Sequence, residues 1–323
     1  MVPTHQLQIH RFAALSDGPR LIVTGAVHGN EVAGTRAIER VLGELMRGEI
    51  TLVRGELTLV PVCNPLAHAH GRRHGERNLN RRLRPTAAPA DNEDRIANLL
   101  CPLLAAHDVL LDLHSFSGPG QPFVLRGPAD NRGPLEPFAH AAAEARLAAH
   151  VGPERIVDGW MDVYAAGIAR RRACAEALAG RAEAAAEDVS YGIGTTEYMR
   201  SVGGYGVTLE CGQHDDAAAP GVGWRAIRQT LALLGLAELA LLPPAPRFEC
   251  LSLVEVIDRH DERDTFVRPW HSFDPLAAGE PIARRADGSA VCATEAGFIV
   301  FPDASARPGR EWFYLARPSG RPL

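Results

Sequence analysis

The sequence predicts a three-layer α/β fold followed by a small β domain. Short apolar runs, typical of strands buried on both faces of a parallel sheet, alternate with helical patterns between residues 21 and 242. A proline-rich stretch at residues 243–246 breaks this alternation, and β-prone runs separated by Gly, Pro and Asp turns follow it. We therefore expect a large α/β domain over residues 1–242 and a small β domain over residues 243–323.

The individual elements follow from hydrophobic period and terminus signals. Apolar runs predict buried strands at residues 21–27, 56–63, 109–113 and 206–211. Helical patterns predict helices at residues 31–46, 91–106, 134–150, 165–187 and 224–242, and Asp91 is the expected N-cap of the second helix. The C-terminal β runs lie at residues 250–257, 297–301 and 312–316. Residues 67–89 form a long arginine-rich loop, and loops of this length inside a compact domain are usually functional or disordered.

The composition is that of a globular protein with a small ligand. The 323 residues carry a net charge of −5 and an apolar fraction of 46%, and all 34 basic residues are arginines spread along the chain. Nothing resembles the basic face that nucleic acid or an anionic membrane would require, and chemistry by a Schiff-base or P-loop lysine is excluded. Guanidinium groups favour bidentate recognition of carboxylates.

The cysteines and apolar runs predict a cytoplasmic protein. Six cysteines are scattered without a CxxC pair, which suits reduced thiols. The first twelve residues lack the apolar run of a secretory signal, and no run of 18 apolar residues is present to span a bilayer. A homo-oligomer is compatible with the sequence, which leaves the oligomeric state open.

Two candidate metal ligands lie in one loop, where the first strand ends and the first helix begins. His28 offers an imidazole nitrogen and Glu31 a carboxylate oxygen, and the glycine-punctuated turn around them lets both converge on a cation. Alone, the pair fits a helix cap and a solvated side chain equally well. His114 ends the strand at residues 109–113, so the sheet would deliver it to the same edge. His, Glu and His with one open position form the ligand set expected of catalytic zinc.

A general base is predicted at Glu210, near the end of the strand at residues 206–211. A lone carboxylate inside an apolar strand is costly to bury without a partner, so it usually has a role or a cation beside it. Cys211 has no histidine partner evident in the sequence and is interpreted as a packed thiol. The loop histidines lack an accompanying carboxylate cluster, so no second metal site is assigned to them; they are His68, His70 and His74.

These pieces together resemble the aspartoacylase/succinylglutamate desuccinylase family, the acylase branch of the zinc carboxypeptidase-like hydrolases. The matching pieces are His28-Gly29-Asn30-Glu31, Asn64-Pro65, Arg73 followed by Asn78-Leu79-Asn80-Arg81, Asp112-Leu113-His114, and Arg200 before Glu210. The resemblance implies a zinc carboxypeptidase-like domain with a mixed, largely parallel central sheet. The proline-rich break and the β runs after it also match the small C-terminal domain of the family.

The resemblance further implies a zinc-dependent amidohydrolase with one zinc ion per chain, held by His28, Glu31 and His114. Its expected reaction is hydrolysis of the amide bond in an N-acyl amino acid or a similar small carboxylate. In that reaction Glu210 would activate a zinc-bound water and later protonate the leaving amine. The expected partner is thus a small-molecule substrate, with neither nucleic acid nor a membrane.

Four further residues match the substrate-handling positions of the family. By this resemblance Arg73 steadies the developing oxyanion, and Asn80 and Arg81 grip a substrate carboxylate. Arg200 reads a second carboxylate. The remaining arginines of the loop are interpreted as a solvated face; they are Arg72, Arg77, Arg82 and Arg84.

Two departures from the family pattern leave the substrate open. Asn78 stands where an acidic residue commonly opens the Asp-Leu-Asn-Arg motif, and Thr196 stands where some members carry a tyrosine. Neither change touches a metal ligand or the base. A metallocarboxypeptidase acting on short peptides and a catalytically silent carboxylate-binding homologue therefore remain as alternatives, and neither the acyl group nor the amino acid is defined.

Overall fold

A computed structural model describes residues 6–177, 188–321 and 323. The described strands are β1 (His10–Ala13), β2 (Arg20–Gly25), β3 (Glu56–Val60), β4 (Val109–Phe116), β5 (Phe123–Leu125), β6 (Arg155–Asp158), β7 (Tyr205–Gln213), β8 (Glu249–Asp258), β9 (Thr265–Phe266), β10 (Pro275–Leu276), β11 (Pro281–Arg284), β12 (Ala290–Cys292), β13 (Gly297–Val300) and β14 (Glu311–Pro318). The described helices are α1 (Val32–Met46), α2 (Pro65–Ala69), α3 (Asn92–Ala105), α4 (Ala141–His150), α5 (Trp160–Ala177), α6 (Thr195–Ser201) and α7 (Ala219–Leu233).

The fold is built on one large mixed sheet, which confirms the predicted α/β class. Its strand order is β1-β3-β2-β4-β7-β5-β6-β8-β14-β13-β10. Strands β3, β2, β4 and β7 run parallel as neighbours, whereas β5 is antiparallel to β7. The three central strands are buried along almost their whole length, as their apolar sequences require.

Helices cover the central strands on both faces. The core on one face joins α1 and α7 to the sheet through residues such as Ile38, Val41 and Ile227. The other core joins α3 and α6 to the opposite face through Leu100 and Met199. Within the described part of the chain, no helix is long and apolar enough to cross a membrane.

Several predicted helix limits were wrong. Helix α4 begins at Ala141 instead of residue 134, because the preceding segment forms an isolated bridge between Asn131 and Phe138. Helix α7 ends at Leu233 instead of residue 242, since Gly235 adopts a positive φ of 64° that stops the helix. Helix α3 has Asp91 as its N-cap, as predicted. The predicted helical residues 178–187 lie outside the described residues.

The C-terminal strands continue the large sheet. Strand β8 pairs with β6 in parallel and with β14 in antiparallel orientation, and β13 and β10 extend the sheet beyond β14. A further three-stranded sheet, β12-β11-β9, lies in the same part of the chain. The division at residues 242/243 stays a prediction, but the hydrogen-bonded sheet itself crosses it.

The topology creates one edge at which loops converge. Strand β2 is followed in the chain by β3, which lies on one side of it, and then by β4, which lies on the other side. In open α/β sheets such a reversal leaves a crevice at the carboxyl ends of the strands, where ligands bind. The loops after β2, β4 and β7 all open at this edge.

Candidate active site

The loop after β2 places His28 and Glu31 side by side. Ala26 adopts a positive φ of 44°, which is a strained conformation for a residue with a side chain and is typical of functional sites. Gly29 lies against helix α2 so closely that an added Cβ would be 2.1 Å from the Ala67 carbonyl carbon. Nδ1 of His28 is 2.8 Å from Oε1 of Glu31. The tight turn therefore aims both side chains at one point.

His114 joins this pair from β4. The register pairs Gly25 of β2 with Leu113, so His114 is one position beyond the end of β2. Nδ1 of His114 lies 2.8 Å from Oε2 of Glu31. The candidate ligand atoms of the three residues all lie within 4.8 Å of one another, and each residue is buried. We call these three residues the metal cluster; among the described residues it is the one group found with metal-ligand geometry.

The outer nitrogens of both histidines have hydrogen-bond acceptors. Nε2 of His28 is 3.0 Å from Oδ1 of Asn78, and Nε2 of His114 is 2.8 Å from Oδ2 of Asp112. The backbone N–H of Asn80 also donates to Oδ1 of Asn78, which identifies that atom as an acceptor. Both Nε2 atoms therefore act as donors. In the neutral rings this leaves each Nδ1 with a lone pair directed at the centre of the cluster, the arrangement that metal-binding histidines use.

The sequence analysis quoted Asn78 and Asp112 within motifs but assigned them no role. Asp112 is fully buried and also accepts hydrogen bonds from the hydroxyl groups of Thr24 and Thr195. It precedes His114 by two residues on a strand, so both side chains point to the same face of the sheet. That period of two is a signal from which the contact could have been predicted. The contact of Asn78 depends on how the loop folds back and carries no such signal.

Burial and charge set the protonation of the metal cluster. Burial, aided by Arg73, lowers the pKa of His28 to about 4. Burial alone would also lower the pKa of His114, but the carboxylates of Asp112 and Glu31 outweigh it and raise that pKa well above its usual value. The two histidines hold the pKa of Glu31 well below its ordinary range despite its burial. Glu31 is therefore a carboxylate that attracts positive charge.

Glu210 lies directly beside the metal cluster. It pairs with His114 in the parallel register of β4 and β7. Only 8% of its surface is exposed, and its Oε2 atom has no hydrogen-bond partner among the described residues. Burial and the nearby charge of Glu31 raise its pKa to about 8. A buried carboxyl oxygen without a partner among the described residues, next to convergent donor atoms, is typical of a functional site.

The arginine loop, residues 70–81, brings one guanidinium to the metal cluster. Nη1 of Arg73 donates to Oε1 of Glu31 over 2.9 Å, while 49% of its side chain stays exposed. Arg77 was expected in solvent, and this was wrong. Its Nε donates to Asp91 and its Nη2 donates to Asp94, each over 2.7 Å.

Asn80 and Arg81 follow in the same loop. Oδ1 of Asn80 accepts a hydrogen bond from the backbone N–H of Thr195 at 2.9 Å, which attaches the loop to α6. The guanidinium of Arg81 lies 4.8 Å from the ring centre of Trp160 and donates to the Asn80 carbonyl oxygen. Their role in gripping a substrate carboxylate stays a prediction.

Arg200 is not brought to the metal cluster. Its Nη2 donates to the carbonyl oxygen of Gly206, four positions before Glu210 on β7, or about 13 Å along the strand. Its Nε donates to Glu144 over 2.9 Å and its Nη1 to Glu136 over 2.7 Å. We call Arg200 with Glu136, Glu144 and Glu197 the arginine cluster. Its predicted contact with a second substrate carboxylate stays a prediction.

The sequence analysis missed His214, which follows β7. Its Nδ1 lies 2.8 Å from the hydroxyl of Ser115, and its Nε2 lies 3.4 Å from the amide nitrogen of Asn30. The backbone N–H of Ser115 donates to Oε2 of Glu31. His214 thus helps to form one wall of the site.

The other candidate groups take structural positions. Nδ1 of His68 is 3.0 Å from the carbonyl oxygen of Gly29, so this ring supports the loop of residues 26–31, which we call the metal loop. Cys211 is fully buried, and burial raises the pKa of its thiol far above its usual value. It therefore lacks the thiolate that a nucleophile needs.

Comparisons with known proteins agree with this fold and with the family resemblance. Residues 17–155 match the model of the succinylglutamate desuccinylase/aspartoacylase catalytic domain, which confirms the resemblance drawn from the motifs. A stretch of 103 residues is 33% identical to N-alpha-acetyl-L-2,4-diaminobutyric acid deacetylase of Halomonas elongata. That match spans 31% of this chain and 29% of the deacetylase.

Solved structures resemble the chain over nearly its whole length. The product-bound ectoine utilization protein EutE (DoeB) from Ruegeria pomeroyi has a TM-score of 0.70 at 18% identity, covering 96% of this chain and 88% of that one. A succinylglutamate desuccinylase/aspartoacylase from Rhodobacter sphaeroides has a TM-score of 0.71 at 17% identity, covering 97% and 90%. At these identities the likeness establishes the fold, including the C-terminal strands.

Proposed function

We propose that this chain, whose residues 17–155 belong to the succinylglutamate desuccinylase/aspartoacylase family, is a zinc-dependent hydrolase that cleaves the amide bond of an N-acyl amino acid. The observation that carries the proposal is the metal cluster beside the buried Glu210, whose Oε2 atom has no hydrogen-bond partner among the described residues. The relatives named as a deacetylase and as desuccinylases or aspartoacylases support the reaction class.

The ligand set fits zinc. His28 and His114 would each bind it through Nδ1 and Glu31 through a carboxylate oxygen, which leaves an open position for water or substrate. Asn78 and Asp112 would hold the two rings in their orientation through the hydrogen bonds to Nε2. Bound zinc would supply Lewis acidity, which polarises a carbonyl group and lowers the pKa of water.

Glu210 would move the proton. Its carboxylate takes a proton from the attacking water and later gives it to the nitrogen of the leaving amine. Burial and the charge of Glu31 raise its pKa to about 8, which suits a group that must both accept and donate near neutral pH. A cation among its neighbours would shift this pKa downward, towards the base form.

The arginine loop would bind the oxyanion and the carboxylate of the substrate. Arg73 reaches Glu31 with one Nη atom and is otherwise half exposed, so its remaining N–H groups can donate to an oxyanion that forms beside the cluster. Asn80 and Arg81 would bind the substrate carboxylate, and Arg200 would have to exchange a glutamate partner to bind a second one.

An acetyl and a succinyl group make different demands on the site. The relatives are named for removing an acetyl group in one case and a succinyl group in others. A succinyl group adds a carboxylate and needs a second free cation, whereas an acetyl group does not. Because Arg200 is paired with glutamates, we propose a short uncharged acyl group such as acetyl.

The test is hydrolysis by the zinc-loaded protein of a panel of N-acetyl and N-succinyl amino acids beside dipeptides. We expect release of the free amino acid from N-acetyl substrates. The variant Glu210→Gln should keep one zinc ion per chain but lose about 10³-fold or more in kcat, since positioned acid–base groups contribute 10²–10⁴-fold. Wild-type turnover by this variant would refute the mechanism, and cleavage of dipeptides alone would favour the carboxypeptidase alternative.

We also propose a cellular compartment for the reaction. The described cysteines are all free thiols, and four of the five are at least partly buried. This supports a reducing compartment such as the cytoplasm.

A further inference from the structure

We infer that Glu93 is a positioning residue that holds the arginine loop, and with it Arg73, against the metal cluster. The inference rests on the proposed oxyanion role of Arg73. Glu93 belongs to the first turn of α3 and is fully buried. It does not touch the metal cluster, so any influence on the reaction must pass through the residues that it binds.

The carboxylate of Glu93 accepts four hydrogen bonds. Oε1 accepts from the side-chain amide of Asn64 at 2.9 Å and from the backbone N–H of Gly75 at 3.0 Å. Oε2 accepts from the backbone N–H groups of Glu76 and Arg77, each at 3.2 Å. Three consecutive N–H groups of the arginine loop therefore converge on one side chain.

This arrangement offsets the cost of burying the charge. A buried carboxylate without donors would be strongly unfavourable, whereas four donors and the positive end of the α3 dipole stabilise it. An added Cβ on Gly75 would lie 2.7 Å from Oε1 of Glu93, so the loop approaches the carboxylate closely only because this residue is glycine. The contact therefore depends both on the Glu93 carboxylate and on the missing side chain of Gly75.

The contact is connected to the metal loop at two points. Asn64 donates its backbone N–H to the carbonyl oxygen of Ala26 over 3.0 Å, at the strained turn before His28. The backbone N–H of Gly29 donates to the carbonyl oxygen of Arg73 over 3.2 Å. Through Asn64 and residues 75–77, Glu93 thus ties the loop that carries His28 and Glu31 to the loop that carries Arg73.

Arg73 depends on its backbone for its position. Its side chain is 49% exposed, and its described hydrogen bond to protein is the single one to Glu31. The anchored residues 75–77 begin two positions later in the chain. A displacement of about 1 Å in a positioned group can reduce a rate about 100-fold, so a loosened loop should be visible in kcat.

The decisive variant is Glu93→Gln, which replaces one acceptor oxygen with an NH₂ group that faces backbone donors. We expect faster hydrogen exchange at the amides of residues 75–77, an unchanged zinc content, and a kcat that is about 10-fold lower with a smaller change in KM. In the Arg73→Ala background, Glu93→Gln should cause no further loss of kcat, because the group through which it acts is absent.

A matched control is Glu44→Gln. Glu44 is also buried and accepts hydrogen bonds from Trp224 and Arg228, but it lies between α1 and α7, away from the arginine loop. This variant should lower the melting temperature without changing kcat or the exchange of residues 75–77. If Glu93→Gln does not fold, Gly75→Ala breaks the same contact from the loop side and should produce the same kinetic pattern.

Two outcomes would overturn the inference. One is unchanged amide exchange at residues 75–77 together with wild-type kcat in Glu93→Gln. The other is an equal further loss of kcat in the Arg73→Ala background, which would assign Glu93 a general structural role. Failure of the proposed function looks different: the wild type would then hydrolyse none of the panel, while the exchange measurement would still report whether Glu93 holds the loop.

Discussion

The metal cluster and the arginine cluster are both buried groups of charged side chains, but they compensate their charge in different ways. In the arginine cluster, Arg200 donates to all three glutamates and to a backbone carbonyl. In the metal cluster, two imidazole nitrogens and a carboxylate face one another, and Oε2 of the neighbouring Glu210 has no partner within the described part of the chain.

This difference separates a structural charge cluster from a binding site. In a structural cluster the donors and acceptors are used up by one another, as in the hydrogen bonds of Arg200 with its glutamates. A site for a cation has convergent electron pairs at its centre, and its hydrogen bonds point outward to supporting groups such as Asn78 and Asp112. Arg200 and Glu144 are as deeply buried as His114 and Glu31, so burial alone does not separate the two clusters.

The largest expected effect comes from removing a ligand in the metal cluster. His114→Ala should abolish stoichiometric zinc binding and lower kcat/KM by more than about 100-fold, because loss of outer partners alone typically costs 10–100-fold. Metal analysis after dialysis and a hydrolysis assay measure the two effects. Full zinc occupancy in this variant would contradict the assignment of His114.

The next prediction tests whether Arg200 stabilises the fold through its glutamates or serves the substrate. Arg200→Met should leave Glu144 and Glu136 buried without their cation and lower the free energy of unfolding by about 3–5 kcal/mol. Zinc content should not change. Denaturant unfolding measures the stability, and the KM of the folded variant tests the predicted role in substrate binding. A raised KM with unchanged stability would show that Arg200 serves the substrate and not the fold.

The smallest effect is a pH dependence within the arginine cluster. Burial, together with Glu197 and Glu144, outweighs the attraction of Arg200 and raises the pKa of Glu136 to about 7. The folded chain thus keeps a proton that the unfolded chain releases near pH 4.5, and stability falls as the pH rises from about 4.5 to about 7.

The fall amounts to about 3 kcal/mol at most, from 1.36 kcal/mol for each pKa unit between 4.5 and about 7. Glu136→Gln should remove this part of the pH dependence and be relatively more stable at pH 8 than at pH 5. Melting temperatures at the two pH values measure it, and the exposed Glu39→Gln serves as the control. The prediction would be contradicted if Glu136→Gln, compared with the wild type, were less stable at pH 8 than at pH 5.

The sequence predicted the positions that depend on strands and on the short loop after β2, and it missed contacts that depend on longer loops. His114 and Glu210 could be placed beside the first loop because β2, β4 and β7 are buried parallel strands whose ends meet at one edge. The fold class followed from the same alternation. The contacts of Glu93 and of Asn78 could not be predicted, because they depend on how a long irregular segment folds back on itself.

The arginines show the same limit. Arg77 and Arg73 lie in one loop with similar neighbours in the sequence, yet Arg77 is held by Asp91 and Asp94 while Arg73 reaches the metal cluster. Which arginine pairs with which carboxylate depends on the tertiary contacts of the loop, because the arginines in it follow neither a helix nor a strand period. Only the resemblance to a family separated the two before the structure did.

The parallel pairing of β6 with β8 has a consequence for how the chain can be divided. A protein truncated after residue 242 would lose the strand that covers one side of β6 and expose a row of unpaired backbone groups. Such an edge invites pairing with another chain, and therefore aggregation. The residues of the metal cluster all precede this point, but a shortened chain that avoids such pairing would have to keep the strands that follow it.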